Sequence, residues 1–190
     1  MLPSLIGIIA SSGGAAASAT SYESIATVTV GAGGSSAITF SSIPSTYQHL
    51  QIRILFRSTR AQTGDYTSMQ FNSDTGSNYA YHGLGADGAN AIGFGYATQT
   101  LMDVERASAA SATSGVFGVA VVDVLDYANT NKYKTMRSLG GFDNNGSGEI
   151  YLTSGLWQNT NAVSTITLKA QGGTSNFAQY SSFALYGIKG

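Results

Sequence analysis

The sequence predicts an all-β antiparallel sandwich preceded by a separate N-terminal arm. Three observations carry this reading: apolar and polar residues alternate with period two from Tyr22 onward, Gly/Asn/Ser clusters interrupt the alternation at short intervals, and no segment has strong helical periodicity. A chain of 190 residues is long enough for one all-β domain with a sizeable core.

Residues 1–22 form the arm. Leu2, Leu5, Ile6, Ile8 and Ile9 make a short apolar cluster, followed by an uncharged Ser/Gly/Ala run of linker composition. No Lys or Arg precedes Arg53, and the cluster is less than half of the ~20 apolar residues of a membrane span, so the segment is read neither as a secretory signal nor as a membrane anchor. It is read as an arm whose apolar tip docks on a neighbouring subunit; the plainer alternative is a strand that completes the domain's own sheet.

Residues 23–190 form the sandwich. The runs expected as strands are 23–30, 36–41, 49–57, 66–72, 115–127, 132–142, 149–158, 163–171 and 182–189. Glycines at 31–34, the Asp143-Asn144-Asn145-Gly146 cluster and residues 128–131 supply turn chemistry between them, and Pro44 falls where a strand should stop. In 49–57 the alternation puts Leu50, Ile52, Ile54 and Phe56 on the core side, with Gln51, Arg53, Leu55 and Arg57 opposite. The run 115–127 is apolar on both faces, which marks either a central strand or one covered by a partner. Residues 73–114 have weak strand character and are expected to be a long surface loop, glycine-rich at 83–95, with one or two helical turns in 100–111. Tyr79, Tyr81 and Tyr96 in that segment, together with Phe94, either contact a partner or pin the loop to its own sheet.

Only 10% of the residues are charged, against about 25% in an ordinary soluble domain. The resulting surface of hydroxyls, amides and tyrosines desolvates cheaply, as suits a subunit of an assembly or an extracellular β domain. A net charge of -1 supplies no long-range field for nucleic acid or an anionic membrane, and the absence of cysteine excludes disulfides and thiol chemistry.

Catalytic signals are missing. His49 and His82 have no metal-ligand spacing, no G-x-S-x-G elbow or G-K-[ST] loop occurs, and no row of sugar-binding aromatics accompanies the carboxylate pairs Asp103/Glu105 and Asp123/Asp126. Residues 71–79 carry Asn72, Asp74 and Gly76 in a spacing better suited to an Asx turn than to a calcium loop. The chain is therefore expected to be no enzyme and to hold no cofactor or metal. Charge concentrates once, at Arg53, Arg57 and Arg60; Arg53 and Arg57 are expected to pair with Asp123, Asp126 or Glu149 of a neighbouring subunit, or else to decorate a solvated sheet face.

The segments ITFSSIPSTYQHLQIRILFRS (38–58), FNSDTGSNYAYHG (71–83) and SSFALYGIKG (181–190) resemble small structural proteins of tailed bacteriophages, notably phages of cyanobacteria and other aquatic bacteria. The resemblance runs over most of residues 23–188. It implies a jelly-roll-like β-sandwich, often a homotrimer, located in the virion. Of the roles it implies, a capsid cement or decoration protein at the capsid surface fits one compact domain with a short arm. Its partners would be the major capsid protein and further copies of itself, with no nucleic acid and no membrane. The alternative is a tail fibre or a receptor- or glycan-binding tail protein using residues 73–114, although no heptads or repetitive shaft accompany the domain.

Overall fold

The computed structural model describes residues 21–190. The arm residues Leu2, Leu5, Ile6, Ile8 and Ile9 lie outside the described residues. Tyr22, placed in the arm by the sequence reading, is the first residue of the sandwich.

The described residues form twelve strands: β1 (Tyr22–Thr29), β2 (Ala37–Phe40), β3 (His49–Phe56), β4 (Gly64–Phe71), β5 (Tyr79–Ala86), β6 (Ala91–Gln99), β7 (Met102–Ser108), β8 (Gly118–Leu125), β9 (Lys134–Asp143), β10 (Gly148–Trp157), β11 (Ile166–Ala170) and β12 (Ser182–Ile188). They make two antiparallel sheets, one ordered β1-β12-β3-β8-β9-β10-β5-β6 and the other β2-β11-β4-β7. The quartets β1-β12-β3-β8 and β2-β11-β4-β7 are the two sheets of a jelly roll, because among these eight strands the chain changes sheet at every step except β4 to β7. The hairpins β5–β6 and β9–β10 are insertions that widen the first sheet on one side.

The core lies between the sheets. Leu50, Ile52, Ile54 and Phe56 of β3 are all buried, as their alternation predicts, and they belong to one core cluster with Phe71, Trp157, Ile166, Leu168, Phe177 and Phe183. Each such side chain stabilises the fold by about 1.5–3 kcal/mol through removal from water. Phe177 packs edge-on against both Phe56 and Phe183, with ring centroids 5.6 and 4.7 Å apart.

All nine expected runs are strands. The segment 73–114 is a correction: it is no long loop and has no helix at 100–111, but contains β5, β6 and β7. Aliphatic alternation is weak in β5 and β6 because glycines take the positions that neighbouring rings cover. Phe94 lies across Gly83, its cross-strand partner, and Tyr151 lies across Gly85, so a Cβ at either glycine would collide with a ring. In β7, the charged Asp103, Glu105 and Arg106 suggest a helix surface, yet Met102, Val104 and Ala107 are fully buried. A bulge where β7 pairs with β4 takes Asp103 and Glu105 off a common face: Asp103 pairs with Ser68 and Glu105 with Thr67.

Two polar anchors hold the loops. Asp74 accepts hydrogen bonds from Trp157 Nε1 (2.7 Å), Asn78 Nδ2 (2.9 Å) and the Gly76 N–H (2.8 Å), the Asx turn expected there. Burial opposes ionisation of Asp74, but these bonds outweigh it and hold the carboxyl below its ordinary range. Lys134 is buried and donates to the carbonyls of Asn129, Lys132 and Thr160 at 2.5, 2.8 and 2.9 Å, using all three ammonium protons.

Candidate functional site: the outer face of the larger sheet

Register across the larger sheet builds a surface that no single strand reveals. Arg53 of β3 pairs with Val121 of β8, Val121 with Leu139 of β9, Leu139 with Leu152 of β10, and Leu152 with Leu84 of β5. Side chains directly opposite one another share a face, so four aliphatic residues stand in one row. They are 43–58% exposed. A neighbouring row adds Leu55, Val119 and Ile150, also exposed, through the pairs Leu55–Val119, Val119–Gly141 and Gly141–Ile150. The apolar character of both sides of β8 thus has two causes. Ala120, Val122 and Val124 are buried in the core, whereas Val119, Val121 and Leu125 face outward and are covered by nothing among the described residues.

The face carries a shallow, open groove. The 143–148 turn and the Asp87-Gly88 turn border a groove of about 830 Å³ in which Val119, Val121, Leu139 and Ile150 are exposed, with Arg53 on its other side. A smaller hollow of about 290 Å³ continues along the same face beside His82, Leu84 and Leu152. Contiguous exposed apolar surface of this kind marks an interaction site, since scattered single leucines would not line up across strands.

A polar row limits the apolar one. Gln51 Nε2 donates to Asp123 Oδ1 at 3.0 Å, and Arg137 reaches Asp123 Oδ2 at 3.1 Å, in the row directly beside Arg53–Val121–Leu139. Arg53 donates to Gln51 Oε1 (3.2 Å), while its guanidinium carbon lies 5.0 Å from the Tyr186 ring centroid and 6.0 Å from that of Tyr22.

Of the five residues expected at a subunit interface, Arg53 and Tyr96 are at the surface and three are elsewhere. Arg57 turns inward and donates to the carbonyls of Ala110, Ala112, Thr113 and Val116 at 2.8–3.1 Å, clamping the chain between β7 and β8. Tyr79 is fully buried and stacks against Trp157, and its hydroxyl shares its one proton between the carbonyls of Phe71 and Asp74, each 3.2 Å away, while accepting from the Phe71 N–H. Burial pushes its phenol up to about 12. Tyr81 is buried too, and its hydroxyl donates to Asp103 Oδ2 at 3.0 Å. Burial, then the Asp103 charge, raises the Tyr81 phenol, and burial raises the Asp103 carboxyl. Tyr79 and Tyr81 therefore pin their segment to its own sheet, the second of the two roles foreseen for them. Tyr96 stands exposed beside Tyr81 and Phe94 near the β6 edge, with centroids 5.1 and 6.2 Å away.

The carboxylates expected to receive Arg53 and Arg57 from another subunit have partners in their own chain: Asp123 with Arg137, Asp126 with Lys132, and Glu149 with Arg106 at 2.8 Å. Arg60 meets Asp65 and Gln171, so the three arginines form no basic stripe. Among the described residues, no three His, Cys, Asp or Glu side chains converge as they would on a metal ion.

Sequence reasoning missed Leu84, Val119, Val121, Leu139, Ile150 and Leu152 as a group. Leu139 is an isolated aliphatic residue on an otherwise polar side of β9, whereas Ile150 and Leu152 share one side of β10 with Leu156, a second apolar side that alternation could have shown. The signal that joins the strands into one surface is the pairing register, which places these residues in line. No protein-family model, curated protein or solved structure matches this chain.

Proposed function

We propose that the chain is a non-enzymatic bacteriophage virion protein, a capsid cement or decoration protein that seats the outer face of its larger sheet on neighbouring major capsid subunits. The observation that carries the reading is the Val121–Leu139–Leu152–Leu84 row with its groove, a firm aliphatic surface held by the backbone ladders of four central strands. Exposed aliphatic side chains give up water cheaply, and because each is already about half buried in the subunit, covering the rest contributes roughly 1 kcal/mol apiece to association. The sparse charge of the chain and its resemblance to small phage structural proteins support the same reading, and assembly into a homotrimer on the capsid surface follows from the resemblance.

The test is addition of the purified protein to capsids that lack it, comparing wild type with Val121→Asp/Leu139→Asp. Both residues are exposed, so the fold persists while two desolvated charges oppose docking. Binding that survives the double substitution removes this face from the contact. A second reading has its own observation: Tyr96, Phe94 and Tyr81 form an aromatic ledge near the free β6 edge, a surface suited to stacking against a glycan on a host cell. Binding of the isolated protein to host cells, weakened by Tyr96→Ala, would favour that tail-protein reading.

A further inference from the structure

The edge strands are β1 and β6 in the larger sheet and β2 and β7 in the smaller one. Sandwiches keep such edges from pairing with other chains by shortness, charge, proline or bulges. β2 has four residues, β1 carries Glu23 and a bulge at Ser24/Ala26, and β7 carries Asp103, Glu105 and Arg106 and bulges against β4. β6 is the exception. It has nine residues, almost all exposed, and neither a charged residue nor a proline occurs between Asp87 and Asp103.

The hydrogen-bond phase shows which backbone groups this edge presents. The Gln158 N–H donates to the Asn78 carbonyl at 2.8 Å, one step beyond the Trp157–Tyr79 pair. Bonded pairs alternate along an antiparallel ladder, so the even-numbered residues of β5 bond to β10. Tyr81, Gly83 and Gly85 then bond to their β6 partners Tyr96, Phe94 and Ile92. The hairpin end has the same phase, with the Asp87 N–H donating to the Asn90 carbonyl at 3.2 Å. The N–H and C=O groups of Ala91, Gly93 and Gly95 therefore point away from β5, and among the described residues no strand receives them. At the far end the Ala97 carbonyl accepts from Thr98 Oγ1 and Gln99 Nε2, which closes the open stretch.

We propose that β6 is where two copies of this chain join, antiparallel about a twofold axis, into one continuous sheet. The sequence selects a second copy as the occupant. A strand pairing with itself about a twofold meets its own sequence in reverse, and Ala-Ile-Gly-Phe-Gly-Tyr-Ala (91–97) has the same order of small and bulky residues from either end. Centred on Phe94, Gly93 exchanges both backbone bonds with Gly95 of the second copy, and Gly95 with its Gly93. Ile92 then stands opposite Tyr96 of the second copy, an aliphatic–aromatic cross-strand pair, and the two Phe94 side chains are neighbours. Ile92 and Tyr96 are 45% and 51% exposed in the single subunit, and the pairing covers them. The Phe94 ring leans back over Gly83, which leaves the edge clear, and no like charges meet across the twofold. Residues 91–97 on each side fall well short of the roughly 20–30 of a standard interface, so the dimer is reversible and forms as the protein is concentrated. The contact uses the sheet edge and leaves the outer face free, so it stands or falls apart from the capsid reading.

Sedimentation equilibrium of the purified chain between about 1 μM and about 1 mM tests this, since a small interface dissociates within that range. The expected mass climbs from one subunit toward two. Gly93→Pro removes an outward N–H without costing a bond to β5, and a Cβ at Gly93 meets no atom within 4 Å. Gly93→Lys keeps the N–H and places a charge on the edge. Both are expected to raise the dissociation constant about tenfold or more, whereas Val121→Asp/Leu139→Asp leaves it unchanged. Amide exchange supplies a second readout: Gly93 and Gly95 are protected only in the concentrated sample, while Ile92, Phe94 and Tyr96 are protected in both. A subunit that stays monomeric throughout overturns the proposal. Association that both Gly93 variants leave intact, that Val121→Asp/Leu139→Asp abolishes, or that leaves the Gly93 and Gly95 amides unprotected overturns it equally, because the contact then lies elsewhere.

Discussion

The carboxyl group of Glu105 fills the space that Gly140 leaves by having no side chain. Glu105 projects from β7 against β9, and a Cβ at Gly140 would overlap its Oε2. Among the described residues neither carboxyl oxygen has a hydrogen-bond partner, and Thr67 Oγ1 on the paired strand likewise has none. Gly140 also lines the groove, so an unpartnered acid lies directly behind the proposed docking face.

Burial pushes the Glu105 carboxyl well above its ordinary value of 4.5. A raised folded-state pKa means that the fold binds this proton more tightly than the unfolded chain does. Stability is then fully present below pH 4.5 and falls as pH rises toward the folded-state value, by up to about 1.4 kcal/mol per pH unit. Glu105→Gln keeps the shape and removes the charge. Urea melts should show the variant and wild type nearly equal at pH 4 and the variant more stable at pH 8. Equal pH slopes for the two proteins would contradict the assignment.

Gly140→Ala has the opposite effect. The added methyl would meet Glu105 Oε2, the Ala120 side chain and the Val119 carbonyl, with no space to relax into. Overpacking of this kind costs about 1–3 kcal/mol, visible as a lower urea midpoint with an unchanged slope. Wild-type stability in this variant would show that the sheets separate more easily than their packing implies.

Arg57 is expected to act within the subunit. Arg57→Ala leaves the carbonyls of Ala110, Ala112, Thr113 and Val116 without their donor, at a cost of about 1–3 kcal/mol. Limited proteolysis should cut the variant faster within residues 109–117 than elsewhere. A variant with an uncut 109–117 segment but salt-dependent loss of oligomers would restore the intersubunit role.

Tyr81 and Tyr96 separate stability from contact. Tyr81→Phe removes the hydrogen bond to the half-buried Asp103 carboxyl and should lower stability by about 1–2 kcal/mol. Tyr96→Ala, at an exposed position, should change the melt by no more than about 0.5 kcal/mol. The reverse ranking in thermal melts would contradict the placement of β5 and β6.

Much of the sandwich was legible because its central strands obey simple alternation. The face of β3 read from Leu50, Ile52, Ile54 and Phe56 is the face the core uses. The β5–β7 region was illegible for a physical reason: Gly83 and Gly85 carry no hydrophobic signal, since their cover comes from Phe94 and from Tyr151, some 66 residues further along the chain. The burial of Glu105 was illegible for a related reason, since nothing in the sequence marks a carboxyl that lies in the core. The candidate site was half visible. The second apolar side of β8 was noted, but the row it belongs to depends on Leu139, Leu152 and Leu84, which only register aligns.

The most direct test of the central claim is cryo-electron microscopy of intact virions at side-chain resolution. The account predicts regular density for this protein across the capsid shell, with Val121, Leu139 and Leu152 packed against major capsid subunits. Density confined to the tail tip, or a capsid-bound domain with that row facing solvent, would contradict it.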